Sequence, residues 1–305
     1  MALARTNKGR TDRTRLSKMI NPDLKRVFET GNEMTIALAA TWNPRGELGR
    51  FEQLLADLEG QYAHLVISFP PVADDRVVRL FTEGKYSARP DVSVIQNQVW
   101  SWGRYMALRT ALQTSVSHIH YADMDRLLRW VETRTAEWRE AVVRIEGGDY
   151  LIMGRSALAY ATHPQALVRT EAISNHLISQ LVGQDLDVSA GSKGFSRRAA
   201  QFLVDHSKPG RALGADGAWT VLLHRAGFRV DYLEVDGLDW ESADRYQNRS
   251  ANTEQQQAQA QAYDQDPAHW AMRVEVALEI VECGLEAAMQ ELPSTSPLLV
   301  SLPVH

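Results

Sequence analysis

The sequence predicts an α/β protein: one mixed, mostly parallel sheet flanked by helices, with a helical C-terminal extension. Short apolar runs suited to buried strands alternate with stretches of helical periodicity up to residue 125. The runs stop at turn-forming clusters such as Thr41-Trp42-Asn43-Pro44 and Pro70-Pro71. A chain of 305 residues, 44% hydrophobic and 23% charged, has the size and composition to bury a large core.

Thr35–Ala40 reads as the first strand, closed by the turn at Thr41–Pro44. Leu48, Phe51, Leu54, Leu55 and Leu58 then recur at helical spacing. His64–Phe69 is the second strand, ended by two prolines, and a polar helix follows around Asp74–Glu83. Val92–Ile95 is the third strand, Trp102–Thr114 a helix and Ser117–Tyr121 the fourth strand. Helices are expected at Asp125–Glu132, Glu137–Ile145, His163–Val182, Ser196–Asp205 and Asp216–Ala226, with strands at Tyr150–Met153 and Phe228–Val235. Gly227 suits the C-cap of the Asp216–Ala226 helix. Ala251–Tyr263 is rich in Gln and Ala and reads as an exposed helix. Val274, Ala277, Leu278, Val281 and Leu285 predict the packed face of a helix over Ala268–Leu292. These elements divide the chain into an arm at 1–33, a domain at 34–240, the helical extension at 241–292 and a Pro- and Ser-rich tail at 293–305. Within the domain, 34–125 and 126–240 form two halves.

A net charge of −5 argues against a nucleic-acid binder. The charge is uneven, because Met1–Arg26 carries eight Lys or Arg against two Asp. That segment has no apolar core and is not a secretory signal. It reads as a disordered basic tail, with a transit peptide or attraction to an anionic surface as other uses. No stretch is apolar enough for a membrane span. The single cysteine, Cys283, excludes an internal disulfide and fits a reducing, cytoplasmic setting. It reads as a helix core residue.

In parallel sheets ligands bind off the carboxyl ends of the strands. Thr41–Arg45, Ser68–Pro71 and Ala122–Asp125 fall there. The last ends the run His118-Ile119-His120-Tyr121-Ala122-Asp123-Met124-Asp125. Two carboxylates one residue apart at a strand end suit a hard divalent cation, Mg²⁺ or Mn²⁺, which in turn binds a diphosphate. The competing structural reading makes Asp123 the cap of the next helix and Asp125 a first-turn acid. His118 and His120 share one face of their strand and read as packing beneath a site. His224 and Asp239 are candidate third metal ligands. The tryptophans read mostly as core, with Trp240 the one placed toward an acceptor pocket.

With Gly103–Arg109 upstream and Gly214-Ala215-Asp216-Gly217 and Ala226–Val230 downstream, the Asp-x-Asp segment resembles glycosyltransferases of the A-type fold. The likeness is to family 2 and the polyprenyl-phosphate sugar synthases, over roughly Thr35 to Trp240. Ser189–Arg197 looks like their glycine-containing acceptor-side loop. The resemblance implies a metal-dependent enzyme moving a sugar from a nucleoside-diphosphate sugar. It places Asp123 at ribose or metal, Asp125 as principal metal ligand, and Thr41 and Trp42 against the base. Arg104 or Arg109 falls at the phosphates, and Asp216 is the acceptor-side general base. The chain departs from the pattern with one acid at Ala215-Asp216, Arg109-Thr110 in place of Arg-Asn, and no membrane helices, which points to a small soluble acceptor. Homo-oligomer formation stays open.

A nucleotidyltransferase is the nearest rival, but Thr41–Arg45 lacks its glycine-rich loop. A dehydrogenase lacks Gly-x-Gly-x-x-Gly at that place. A nucleotide-sugar binder without turnover remains, because the acceptor side offers a single acid.

Overall fold

The computed structural model describes residues 34–211 and 213–292. The expected arm at 1–33 and tail at 293–305 lie outside the described residues. Seven strands form one sheet: β1 (Ile36–Thr41), β2 (His64–Phe69), β3 (Val92–Gln96), β4 (His118–Asp123), β5 (Tyr150–Arg155), β6 (Ser192–Ser196) and β7 (Val230–Val235). Their order is β3-β2-β1-β4-β6-β5-β7. All adjacent pairs are parallel except those made by β6, which runs antiparallel to both β4 and β5.

The helices are α1 (Leu48–Glu59), α2 (Asp75–Thr82), α3 (Gly103–Ala111), α4 (Met124–Thr133), α5 (Thr135–Arg144), the single turn α6 (Ala157–Tyr160), α7 (Gln165–Val182), α8 (Arg197–His206), α9 (Ala215–Arg225), α10 (Thr253–Asp264) and α11 (Pro267–Met289). The period of two in β1 divides them between two layers. Ile36, Leu38 and Ala40 pack with residues of α1, α2, α4 and α5, while Ala37 and Ala39 pack with residues of α3, α8 and α9. The α/β class, the mixed sheet and the helical C-terminal extension follow the sequence expectation. No described helix is long and apolar enough to cross a membrane.

β6 is a correction. Ser192-Lys193-Gly194-Phe195-Ser196 has one large apolar residue and reads as a loop, yet it is an interior strand. A Cβ on Gly194 would lie 2.6 Å from Ile145 Cγ1, so the strand fits because that side chain is missing. The packed face of α11 is the second correction. Val274, Leu278 and Leu285 are exposed, whereas Ala277, Ile280, Gly284 and Ala287 are buried. Small residues set that contact: a Cβ on Gly217 of α9 would lie 2.3 Å from the Ile280 carbonyl oxygen, and one on Gly284 would lie 2.3 Å from Ile178 Cδ1 of α7. In α10, Gln256 is buried and donates to the Trp240 carbonyl at 2.9 Å.

Buried ion pairs fasten the segment after β7 to the sheet. Arg129 of α4 binds Asp239 (Nε–Oδ1 2.6 Å) and Asp244 (Nη1–Oδ1 2.7 Å), and Arg50 of α1 reaches Asp244 Oδ2 at 3.1 Å. This anchoring carries Glu241, which lies between the two aspartates, to the carboxyl end of the sheet.

Candidate active site

A cleft of about 260 Å³ opens at the carboxyl ends of the central strands. Thr41, Asn43, Arg45, Ser68, Pro70 and Trp100 line one end. Asp123, Asp125 and Arg126 lie beside them, and Glu241, Arg245 and Arg273 complete the wall. All three anticipated strand-end segments meet here through register, since Thr41 pairs with Asp123 on one side and Ser68 on the other. Ser68 also fixes the start of α3, because its hydroxyl donates to the Gly103 carbonyl at 3.0 Å.

Asp123 occupies the N-cap position of α4 but makes no side-chain cap bond. Its Oδ1 instead accepts from the Tyr121 hydroxyl at 2.6 Å and the Thr41 hydroxyl at 3.0 Å. Arg104 Nη2 lies 3.3 Å from Oδ2. Burial alone would raise the Asp123 pKa, but Arg104 and Arg126 outweigh it and hold the group below its ordinary value. Asp125, in the first turn of α4, behaves oppositely. Burial, then the charges of Glu241 and Asp123, push it up to about 7. Glu241 is lowered although burial opposes this, because Arg126 lies beside it with Nε 3.2 Å from Oε2.

This donor set fits a divalent cation in one respect and limits it in another. Asp123, Asp125 and Glu241 crowd negative charge around one cleft, which a cation would relieve. Among the described residues, no group of three or more His, Cys, Asp or Glu is drawn together as a ready metal cage. Magnesium-type ions characteristically take one or two protein carboxylates and complete their shell with phosphate and water. Asp125 and Asp123 are the residues that would hold such an ion.

Several expected site residues lie elsewhere. Trp42 borders the cleft but is 1% exposed, its ring enclosed by Phe51, Phe69 and Phe81 with centroids 5.2, 5.7 and 5.9 Å away. It offers no open face to a base; of the two tryptophans in the lining, Trp100, 52% exposed, is the one with an open ring. Arg109 is exposed on the last turn of α3, whereas Arg104 lines the cleft; five residues on a helix of 3.6 per turn do not bring the two side chains to one point. Trp240 is buried among Leu167, Ala243, Ala251 and Ala260 rather than in an acceptor pocket. Asp239 is bound by Arg129, and His224 is exposed on α9, so neither joins the aspartates. His120 is buried between the Tyr62 hydroxyl (2.6 Å) and Ser192 Oγ (2.8 Å), away from the cleft lining.

Asp216 needs the largest revision. It sits in the first turn of α9 with one oxygen 2.7 Å from Arg104 Nη1 and the other 2.5 Å from Lys193 Nζ. It is 3% exposed and absent from the cleft lining. A carboxylate held by two cations and shut from the cleft is poorly placed to take a proton from an acceptor.

The sequence assigns no site role to Tyr121, Arg126 or Glu241, and places Gly191 and Lys193 only within the Ser189–Arg197 loop. Tyr121 had a usable signal, because it lies two residues before Asp123 on the same strand face. Arg126 is placed by its Nη1, which donates to the Ala190 carbonyl at 2.6 Å.

No family model and no curated protein matches the chain. Solved structures do. Glucosyl-3-phosphoglycerate synthase from Mycobacterium tuberculosis, in complex with Mn²⁺, UDP-glucose and phosphoglyceric acid, is similar at 12% identity and a TM-score of 0.47, over 84% of this chain and 80% of that one. The same enzyme with Mn²⁺, UDP and phosphoglyceric acid matches at 13% identity and 0.48, over 86% and 80%. S. aureus TarS in complex with UDP matches at 13% and 0.37, over 66% and 58%. These scores lie below one half, so what the cleft can hold must be read from its own residues.

Proposed function

We propose that this protein is a metal-dependent glycosyltransferase, moving a sugar from a nucleoside-diphosphate sugar to a small acceptor. One observation carries the reading: Asp123 and Asp125, with Thr41 in register beside them, open into a single cleft that also holds Arg104, Arg126 and Trp100. Trp100 supplies an exposed ring on which a base can stack. Arg104 and Arg126 are cations suited to phosphate. A bound divalent ion would act as a Lewis acid toward the diphosphate leaving group. The resemblance stated from the sequence points the same way.

A thermal-shift series with UDP, GDP and ADP, each with and without Mn²⁺, tests it. A ligand that binds only the folded state raises the melting midpoint. The expected result is a rise that needs both nucleotide and metal. No rise with any nucleotide, or one indifferent to Mn²⁺ and Mg²⁺, sinks the reading.

A second reading, a nucleotide-sugar binder without turnover, is favoured by the engagement of both Asp216 oxygens with cations. Donor binding with neither transfer across an acceptor panel nor donor hydrolysis would select it.

A further inference from the structure

Asp216 and Lys193 are buried charges with no direct path to the cleft, yet they belong to a chain that ends in it. Four residues from four elements alternate in charge. Lys193 of β6 meets Asp216 of α9 at 2.5 Å, Asp216 meets Arg104 of α3 at 2.7 Å, and Arg104 meets Asp123 of β4 at 3.3 Å. Lys193 is 1% exposed and also donates to the Val188 carbonyl at 2.9 Å. Exposure rises along the chain until the Asp123 side chain, at 23%, stands in the cleft. Two positive and two negative charges leave the set neutral, the condition under which charges persist so deep.

The two ends of the Arg104 fork are held unequally. Nη1 lies 2.7 Å from Asp216 Oδ2, an ion-pair contact off the hydrogen-bond direction, whereas Nη2 donates to Asp123 across 3.3 Å. The guanidinium also lies 5.4 Å from the Tyr121 ring centroid.

We propose that Asp216 and Lys193 are positioning residues: Asp216, itself held by Lys193, clamps Nη1 of Arg104 so that Nη2 is presented to the cleft as a donor to a diphosphate. The identity of that anion rests on the glycosyltransferase reading. A guanidinium fixed at one end loses less freedom when it binds phosphate at the other.

Asp216→Asn alone leaves Lys193 without a carboxylate partner and Arg104 with only Asp123, and risks unfolding. The test therefore uses the charge-balanced double variant Lys193→Met/Asp216→Asn, alone and combined with Arg104→Ala. Asp216→Glu, which keeps all four charges but lengthens the clamp by one methylene, is the second variant. UDP and GDP with Mn²⁺, and pyrophosphate with Mg²⁺, are titrated calorimetrically, and a crystal structure of the double variant locates Arg104. The double variant should melt cooperatively and bind the probes at least tenfold more weakly. Adding Arg104→Ala should then cost less than threefold more, because the contact is already lost. Asp216→Glu should fold and bind with intermediate affinity, and donor KM should rise by more than kcat falls.

Wild-type affinity in the double variant or in Asp216→Glu overturns the proposal, as do additive losses or an unmoved Arg104. A collapse of kcat at unchanged donor affinity also overturns it and returns Asp216 to the role of base. Wild-type protein that binds pyrophosphate but neither nucleotide overturns the nucleotide reading instead, and the pyrophosphate series still decides the clamp. Wild-type protein that binds none of the probes overturns both.

Discussion

Gly191 and Asp123 are in such close approach that a Cβ on Gly191 would lie 2.6 Å from Asp123 Oδ2. The same glycine has φ +77° and accepts a backbone hydrogen bond from Asp123 N at 3.1 Å. Gly191→Ala therefore meets two separate penalties. The left-handed backbone costs a non-glycine residue ~1–2 kcal/mol, and the new methyl must push the Asp123 carboxylate off Thr41, Tyr121 and Arg104. The expected outcome is a stability loss of that order in urea, with metal-dependent nucleotide affinity reduced at least tenfold. Affinity equal to wild type would show that the position of Asp123 does not depend on this contact.

Asp125→Ala should abolish metal-dependent nucleotide binding without weakening the fold. The folded protein holds the Asp125 pKa up at about 7 by burial and by Glu241 and Asp123, so its charged form is disfavoured at neutral pH. A carboxylate raised this way lowers stability as pH climbs from its ordinary range toward 7, and removing it relieves that cost. At pH 7.5 the variant should melt at the wild-type temperature or above it. Retained Mn²⁺-dependent UDP or GDP affinity by calorimetry would contradict the metal assignment.

Period and punctuation made most of the sheet legible. His64–Phe69 is an apolar run ended by two prolines, and β2 has those limits. The location of Asp123 and Asp125 followed from the same logic, because a strand end fixes a position without knowledge of its neighbours. What failed depended on distant partners. Ser192–Ser196 lacks strand composition because its core position is supported by an ion pair to Asp216, 23 residues ahead of Lys193. α11 carries two apolar stripes, and only the close approach of Gly217 and Gly284 selects the one with small residues. Trp42 and Trp100 have the same chemistry in the sequence; the Phe51, Phe69 and Phe81 rings decide which is enclosed.

That difference between the tryptophans gives a paired prediction. Trp100→Ala removes an exposed ring from the cleft, so nucleotide affinity should fall by the ~1–3 kcal/mol of a base–aromatic stack, with little change in melting. Trp42→Ala empties a closed aromatic cluster and should cost ~3–5 kcal/mol of stability. Calorimetry and urea unfolding on the two variants separate the effects. Reversal of the pattern would put Trp42, not Trp100, against the base.

The final prediction concerns acid. His120 is buried with both ring nitrogens engaged, by the Tyr62 hydroxyl at 2.6 Å and Ser192 Oγ at 2.8 Å, and burial lowers its pKa to about 3. One nitrogen must accept, so this geometry suits the neutral ring, and the hydroxyl partners bring no negative charge to compensate a proton. The unfolded chain takes up that proton near pH 6.5 and the folded one does not until about 3. Between those values the unfolded state binds more protons, so stability falls as pH drops through the window and is fully present above it. Each pH unit well inside the window costs up to ~1.4 kcal/mol. His163, buried and likewise held well below its ordinary value, adds in the same direction. His120→Gln should lower stability at pH 7.5 through lost hydrogen bonds, yet flatten the decline between pH 6 and 4.5 by close to one proton. Urea midpoints at pH 7.5, 6.5, 5.5 and 4.5 for both proteins measure this. Parallel pH profiles would mean that His120 carries its proton in the folded state, and that the neutral ring assigned to it is wrong.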